Sequence, residues 1–420
     1  MSKASRRSLL LLIFLCLFTL SSSVFAQNPL PKATPSIASA ASAFIPKIPP
    51  RAIAYQRERR TVSLIGLAWG LAGAFVFVKS GLSRTLAKRL ETPKLPPPFW
   101  KFLLFFAAFT LFHSLWTLPF GLWGWRLERN YGFSTLSIFG YLRDRLIGTT
   151  TELILAPVLW IALRLYTRSP EHWWKKAWIG VVPLILFSIV LQPIVISPLY
   201  YRYTAMSPSP LRTRIETLAS KAGISGGRIL IESTSSRTTH VNAYVAGLGP
   251  TTRIVINDTA LEKLPPDQLT AMMGHEMGHY VEGHLWFGFA FASLGAGLFL
   301  FLIHRVFPLL LKRYENFFGA KHPAELKALP LLLWIISVFL LVQAPIESGI
   351  SRVMEHRADR FGLQVAGLHR ATAQLFVGFA ERDYSDPDPP TLLHFWFGTH
   401  PTLKERIKFA LEDPDDIPTR

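Results

Sequence analysis

Six long apolar stretches constrain this 420-residue chain more than any other feature of its sequence. They cover residues 61–78, 102–125, 146–163, 177–201, 285–303 and 329–346. A membrane-spanning helix needs about 20 predominantly apolar residues, because the hydrocarbon core of a bilayer is roughly 30 Å thick. The third stretch contains one charge, Glu152, close to its start, and the fourth contains Pro183, Pro193 and Pro198. The pattern predicts a multi-pass, mainly α-helical membrane protein.

The composition supports this class and argues against others. Half of the residues are hydrophobic and 17% are charged, whereas soluble domains average roughly 25% charged residues. The net charge of +18 is compatible with nucleic-acid binding, but the Lys and Arg residues flank the apolar stretches, as in membrane proteins. We therefore expect membrane lipid as a partner and no nucleic acid. The single cysteine, Cys16, excludes an internal disulfide and a cysteine-based zinc site.

The N-terminal residues predict a targeting segment followed by a linker. Basic residues precede the apolar run 9–20, and Val24 and Ala26 suit the positions before a cleavage site. Residues 1–26 are therefore predicted to be a secretory signal peptide or, alternatively, a retained first span. Residues 27–60, rich in Ala, Ser and Pro, are predicted to be a linker. Loop Lys and Arg divide equally between the two sides of the membrane, so the orientation in a plasma or endoplasmic-reticulum-type membrane stays open.

Two polar segments, roughly 202–284 and 347–420, predict a folded unit outside the membrane. Its predicted elements are an amphipathic helix at 211–222, strands at 228–232, 241–246 and 253–257, and a helix from Pro265 to at least His284. The turn sequence at 247–252 indicates that the last two strands could form a hairpin. We therefore divide the chain into a four-span membrane domain, 61–201, and a second domain, 202–420, which contains the last two spans. The second domain is expected to carry a small α+β unit.

The motif His275-Glu276-Met277-Gly278-His279 lies on the last of these predicted helices. Residues four apart on a helix differ by about 40° around the axis and about 6 Å along it. His275 and His279 therefore project side by side and are placed to bind one Zn²⁺ ion. Glu276 is placed to take a proton from a water molecule on the metal rather than to bind the metal. The alternative interpretation is two surface histidines beside a capping glutamate.

A catalytic zinc site needs three protein ligands and one open position. Glu282 lies about 10 Å farther along the helix than His275, and His284 faces roughly the opposite side, so neither is expected to bind the metal. Each is expected to be solvated or to lie beside a ligand. Glu355 is a better candidate for the third ligand. Asp359, four residues later on the same helix face, would hydrogen-bond a ligand histidine and orient it.

Two further polar residues could serve a substrate. Asn242 lies on a predicted strand before the motif helix, where its amide could hold a peptide that pairs with the strand. His400, followed by Arg406 in the polar tail, could donate a hydrogen bond to a developing oxyanion. From spacing alone, ordinary loop positions explain both residues nearly as well.

Together these motifs resemble the type 1 CAAX prenyl proteases, which are integral-membrane zinc metalloendopeptidases of the gluzincin kind. The matching segments are 240–244 (HVNAY), 253–256 (RIVI), 275–279 (HEMGH), Glu355 with Ala358 and Asp359, His400 with Pro401, 128–134 (ERNYGFS) and 193–201. The resemblance covers about residues 55 to 410 and is more specific than the zinc motif alone. The signal-like N-terminus is a departure, since the family usually keeps a first span there.

The resemblance implies a ring of transmembrane helices around an internal chamber, with a zincin-like catalytic unit that faces the chamber. It implies one zinc ion per chain, bound by His275, His279 and Glu355, with Glu276 as the catalytic acid and base. Family substrates are cleaved near a prenylated C-terminus, and some members clear other membrane-associated proteins.

The resemblance also assigns the supporting residues. It implies that Asp359 holds a ligand in place, and that Asn242 and His400 bind the substrate backbone and stabilise the tetrahedral intermediate.

We therefore expect a membrane-embedded zinc metalloendopeptidase that acts on membrane-associated or prenylated proteins, in maturation or in quality control. A non-catalytic zinc-containing scaffold or chaperone is the alternative, and a fourth protein ligand would favour it. A transporter with Glu152 and His113 along its path is a third hypothesis, although the sequence shows none of the inverted repeats common in transporters.

Overall fold

The structure is a computed structural model that describes residues 44, 46–90, 92–224, 226–247 and 249–412. The predicted signal peptide or first span, 1–26, lies outside the described residues. The first described helix, α1 (Pro50–Lys79), begins inside the predicted linker 27–60, so the linker prediction is wrong for its last residues. Proline suits the first helical position because its missing N–H has no helical partner there. The Arg and Glu residues that follow are good helix formers.

Five further helices follow in the described part of the membrane domain. They are α2 (Leu82–Arg89), α3 (Phe99–Asn130), α4 (Ile138–Glu152), α5 (Ala156–Arg168) and α6 (Trp173–Leu191). Residues 138–168 form one spanning segment through α4 and α5. The fourth predicted span is bent by 43° between 173–189 and 192–199. Pro193 lies just after the bend, and a proline removes a backbone hydrogen bond from a helix.

The second domain contains the small α+β unit that the sequence predicts. Its strands are β1 (Tyr203–Ala205), β2 (Arg228–Glu232), β3 (Ala243–Ala246) and β4 (Arg253–Asn257), in the order β1-β2-β4-β3. Its helices include α7 (Pro210–Lys221), α8 (Asp258–Lys263) and α9 (Pro266–Val281). β3 pairs antiparallel with β4, with Ala243 opposite Ile256, and lies at the edge of the sheet. The predicted hairpin is therefore confirmed.

Two long helices connect this unit to the membrane. They are α10 (His284–Arg313) and α12 (Leu329–Ala366), with the short α11 (Glu315–Phe318) between them. α13 (His369–Glu381), α14 (Thr391–Phe397) and α15 (Leu403–Ala410) complete the described chain. Within the described residues, five helices are long and apolar enough to cross a membrane, or six if the bent pair counts as one span. α12 is both a span and the helix that carries Glu355, so a membrane helix continues without a break into the polar unit.

Apolar side chains form separate cores in the two domains. Phe77, Phe102 and Phe105 are fully buried between membrane helices, and Ile256 and Met273 are fully buried between the sheet and α9. α9 therefore lies on the sheet with one apolar face, which leaves its histidine face toward α12.

A cluster of polar and aromatic side chains connects the membrane domain to the segment that precedes β3. The imidazole of His240 stacks on Phe133, with ring centres 4.6 Å apart. Its Nδ1 lies 3.5 Å from Oδ1 of Asp383, and its Nε2 lies 3.9 Å from Oε2 of Glu128 at the end of α3. Tyr55 of α1 donates a hydrogen bond of 2.8 Å to the other oxygen of Glu128. The segment that leads into β3 is thereby held by residues from both domains.

Candidate metal centre

Small residues allow α9 and α12 to come into direct contact. A Cβ atom added to Gly278 would lie 3.0 Å from Cα of Ala358, and one added to Gly362 would lie 2.8 Å from the backbone nitrogen of His275. Close-packed interiors do not accommodate such short contacts, so larger residues would force the helices apart. Glycine and alanine at these positions bring Glu355 beside the histidines of α9.

The structure brings together the three metal ligands predicted from the sequence. Nε2 of His275 lies 3.1 Å from Nε2 of His279 and 3.2 Å from Oε2 of Glu355. Nε2 of His279 lies 3.3 Å from Oε1 of Glu355. Two ligand atoms about 2.1 Å from a tetrahedral ion would lie roughly 3.4 Å apart. The three side chains therefore surround a point at which one divalent ion would fit.

The burial of Glu355 supports the same conclusion. Its side chain is only 9% exposed. Its buried Oε2 atom forms no well-aligned hydrogen bond among the described residues, although the Nε2 atoms of His275 and His400 lie 3.2 Å away. An unsatisfied buried carboxylate oxygen is costly, and a cation in its place would satisfy it. Within the described residues, the cluster of potential ligands at this point contains the three side chains and no fourth. A three-ligand arrangement leaves a coordination position open, as catalytic sites require and closed structural sites do not.

Asp359 and Arg406 support His275 from the opposite side. Oδ1 of Asp359 lies 2.8 Å from Nδ1 of His275. Arg406, on α15, donates to both carboxylate oxygens of Asp359, at 2.8 Å from Nε and 2.6 Å from Nη2. Asp359 and Arg406 are 3% and 6% exposed, and buried charges of this kind are tolerated when they are paired. The contact with Asp359 leaves Nε2 of His275 free to face Glu355.

His284 makes an equivalent contact with the second ligand. Its Nδ1 lies 2.9 Å from Nδ1 of His279, and its side chain is buried. The prediction that α9 extends to His284 is wrong, because the helix ends at Val281 and Gly283 adopts a left-handed conformation with a φ of 67°. This turn brings His284 back beside His279 rather than to the opposite side of the helix.

Glu276 lies between the two histidines on α9. Burial raises the pKa of its carboxyl above the ordinary value, although the nearby His275 and His279 oppose the rise. Within the described residues it makes no ion pair. A carboxyl at this position can exchange a proton with a water molecule beside the site.

The predicted substrate-binding residues differ in how directly they reach the centre. Nε2 of His400 lies 3.2 Å from Oε2 of Glu355, and its side chain is 53% exposed, so it borders the open side of the site. Asn242 is exposed immediately before β3, and its carbonyl accepts a hydrogen bond of 3.1 Å from the backbone of Asn257. β3 packs on α9. No contact between the Asn242 side chain and the ligands occurs among the described residues.

Sequence reasoning did not assign Arg406 or the small residues of α9 and α12 to the site, and it left His284 either solvated or beside a ligand. The small residues did leave a signal, because Gly274 and Gly278 lie four apart, as do Ala358 and Gly362. Residues four apart share a helix face, so each pair predicts a close helix contact. The contact of Arg406 depends on the tertiary fold and left no comparable signal, whereas the contact of His284 depends on the local turn at Gly283.

A membrane helix that continues into a three-ligand centre, beside a half-buried glutamate, defines the class of membrane-embedded metallopeptidases. The chain belongs to the type 1 CAAX prenyl protease family, within peptidase family M48. The family model described as "Peptidase family M48" matches residues 208–413. The family model described as "CAAX prenyl protease N-terminal, five membrane helices" matches residues 41–202. The protein is therefore a multi-pass integral-membrane metalloendopeptidase, and the family implies a metal ion.

Individual relatives cover most of the chain. It is 30% identical over 367 residues to the uncharacterized metalloprotease YhfN of Bacillus subtilis, covering 85% of this chain and 84% of the relative. It is 26% identical over 385 residues to CAAX prenyl protease 1 of Saccharomyces cerevisiae, covering 84% and 83%. The crystal structure of Ste24p from S. mikatae shares the fold, with a TM-score of 0.71 and 24% identity over 86% of this chain and 88% of that one.

Proposed function

We propose that this chain is a zinc endopeptidase that cleaves membrane-associated proteins or peptides, in particular those with a prenylated CAAX-type C-terminus. The observation that carries the proposal is the convergence of His275, His279 and Glu355, with donor atoms 3.1 to 3.3 Å apart. Two imidazoles and one carboxylate are a ligand set found in catalytic zinc sites. The names of the curated relatives support the substrate class, and the membrane spans would place the site close to lipid-anchored substrates. We propose no nucleic-acid partner.

Each residue near the centre has a proposed role. A bound zinc ion would polarise the scissile carbonyl and lower the pKa of a water molecule toward 7. Glu276 would take the proton of the attacking water and pass it to the leaving amine. His400, at the exposed side of Glu355, would donate a hydrogen bond to the developing oxyanion.

The edge strand β3 would position the substrate. It has a sheet neighbour only on the β4 side among the described strands, so an extended peptide can add alongside it. Asn242 precedes this strand, and its exposed amide would hold the substrate backbone. Asp359 would act on His275, whose orientation it fixes, rather than on the substrate.

Glu276→Gln tests the assignment of the proton-transferring group. We expect this variant to retain its metal and to lose about 10² to 10⁴-fold in kcat, because glutamine cannot accept the proton. Metal content is measured by elemental analysis, and turnover by mass spectrometry of the products of a membrane-anchored peptide. Glu282→Gln is the matched control, since Glu282 lies at the end of the same helix and pairs with Arg357 outside the site. Full activity of the Glu276→Gln enzyme would refute the role of Glu276.

The substrate class is tested with paired peptides that have the same sequence, with and without an isoprenyl group on the cysteine. We expect the prenylated peptide to be cleaved with the higher kcat/KM. Equal values for both peptides would restrict the proposal to membrane-associated substrates in general.

A further inference from the structure

A cleft of about 620 Å³ opens at the end of the membrane domain that is remote from the metal centre. It is lined by the region of α2, by the loop that leads to α3, and by the turn before α12. α12 begins at Leu329, next to the cleft, and reaches Glu355 about 40 Å farther along at 1.5 Å per residue. The cleft and the metal centre therefore lie near opposite faces of the membrane.

Cationic side chains from three separate parts of the chain meet in this cleft. Arg84 and Lys88 lie one turn apart on α2, Lys94 follows in the loop, and Lys327 comes from the turn before α12. These four residues are called the basic cleft below. Two chain segments more than 200 residues apart in sequence contribute to it, so the fold itself brings the charges together.

The cleft contains little negative charge to balance them. Among the described lining residues, the carboxylate is that of Glu325. Its Oε1 accepts the backbone N–H groups of Lys321 and His322 at 3.0 and 2.8 Å, and its Oε2 lies 3.8 Å from Nζ of Lys327. Within the described part of the chain, Arg84, Lys88 and Lys94 form no ion pair. Glu91 lies outside the described residues, and counting it still leaves the cations in excess.

Like charges that line one cleft repel one another, and salt at 0.1 M screens charge only beyond roughly 10 Å. The C-terminal end of a helix favours cations, which accounts for Lys88 near the end of α2. That effect does not explain Lys94 or Lys327, which lie outside α2. An anion bound among the four side chains would remove the repulsion.

The position of the cleft indicates which anion is available. Part of its wall is apolar, with Leu90, Leu95 and Leu326 among the lining residues. Beside it, the indole of Trp160 donates a hydrogen bond of 2.8 Å to the carbonyl of Pro97, and tryptophan is enriched at the level of lipid headgroups. A mixed basic and apolar cleft at this level suits an amphiphile with a phosphate group.

We propose that the basic cleft binds the phosphate group of an anionic phospholipid headgroup. The site is separate from the catalytic centre, and the inference does not depend on the proposed function. The same chemistry would accept a soluble phosphate, and the experiment distinguishes the two sources.

The test uses the full chain in neutral detergent and a fluorescent short-chain phosphatidylglycerol. The double variant Lys88→Gln/Lys94→Gln changes two exposed side chains of the cleft. Lys175→Gln/Lys176→Gln removes the same charge from the start of α6. That position lies on the same membrane face, because the ring of Tyr166 at the end of α5 contacts His322 beside the cleft, with ring centres 5.6 Å apart. We expect roughly tenfold weaker binding for the cleft variant and little change for the control, since basic residues near an anionic surface contribute several-fold each.

Competition with inorganic phosphate and with a zwitterionic phosphatidylcholine probe completes the test. Displacement of the lipid by phosphate supports a site for the phosphate group itself, and failure of phosphate to displace it supports a site that also needs the lipid chains. Equal losses in the two double variants would show only general charge attraction and would overturn the proposal, as would equal binding of phosphatidylcholine. Unchanged unfolding temperatures confirm that the variants are folded.

Discussion

Next to His275, the buried carboxylate of Asp359 is stabilised by an ion pair and also contacts a candidate metal ligand. Asp359 is almost completely buried, yet both of its carboxylate oxygens accept hydrogen bonds from Arg406. The same carboxylate contacts Nδ1 of His275 and so determines which ring nitrogen faces the metal point. The Asp359–Arg406 pair therefore contributes to the stability of the fold, and Asp359 also orients His275. Mutations can separate these two effects.

Asp359→Asn should damage both properties. The asparagine leaves a buried guanidinium without its counter-ion, which costs about 3–5 kcal/mol in the free energy of unfolding. It also weakens the contact with His275, for which a 10- to 100-fold loss of metal affinity is typical. The measurements are the thermal unfolding midpoint and the metal retained after chelator dialysis.

The double variant Asp359→Leu/Arg406→Met separates the two effects. Replacing a whole buried ion pair by apolar residues is often neutral for stability, so the unfolding midpoint should recover while metal affinity stays low. Recovery of metal affinity in the double variant would contradict a role for Asp359 in orienting His275.

At this scale the sequence predicted the three candidate ligands and Asp359, and it missed the contacts of Arg406 and His284. His275 and His279 could be paired because helix geometry alone places residues four apart side by side. Arg406 could not be paired with Asp359 in this way, because α15 and α12 meet only in the folded chain. His284 was misplaced because Gly283 ends the regular helix, and the motif spacing does not report that turn.

The crossing of α9 and α12 is the element-scale feature on which the centre depends. Spacing could suggest a close contact, but the distance between the helices depends on the absence of side-chain atoms at Gly278 and Gly362. Strands β2, β3 and β4, and the hairpin of β3 with β4, were predicted at nearly their observed positions, because alternating residues and turn sequences are local signals. The three-residue strand β1 was not predicted. The three prolines of the fourth span are compatible with a bend, but the sequence did not show at which proline the bend lies.

Gly362→Val should separate the two helices. Its Cβ would lie 2.8 Å from the backbone nitrogen of His275, and overpacking of this kind costs about 1–3 kcal/mol. A displacement of about 1 Å at a catalytic site can reduce activity about 100-fold, so metal content and kcat should both fall.

Gly295→Val is the matched control, because Gly295 on α10 has no neighbouring atom within 4 Å of an added Cβ. The proposed tight crossing is wrong if Gly362→Val binds metal as well as the control does.

The two domains of the whole molecule meet at His240. Burial alone would lower the pKa of this imidazole, but Asp383 and Glu128 outweigh that effect and raise the pKa to about 9. A raised pKa in the folded state means that protonated His240 stabilises the fold below its unfolded value of about 6.5. This contribution is lost as the pH rises through about 9.

The unfolding midpoint of the wild-type protein should therefore fall relative to that of His240→Gln between about pH 6.5 and 9. The effect should not exceed about 1 kcal/mol, because the side chain is 37% exposed and solvent screens the interaction. Thermal unfolding followed by tryptophan fluorescence measures both proteins. Parallel midpoints across this range would mean that His240 carries no charge-dependent contact between the domains.

The continuity of α12 links the catalytic chemistry to the physical state of the bilayer. A helix whose apolar length does not match the hydrocarbon thickness adjusts by tilting, and a tilt of α12 would move Glu355 relative to the histidines on α9. Turnover should consequently vary in reconstituted vesicles as the acyl chains of the lipids are lengthened or shortened. A rate that stays constant across those vesicles would contradict this coupling. If the coupling holds, membrane thickness acts as a regulator of proteolysis, and the same enzyme works at different speeds in compartments that differ in lipid composition.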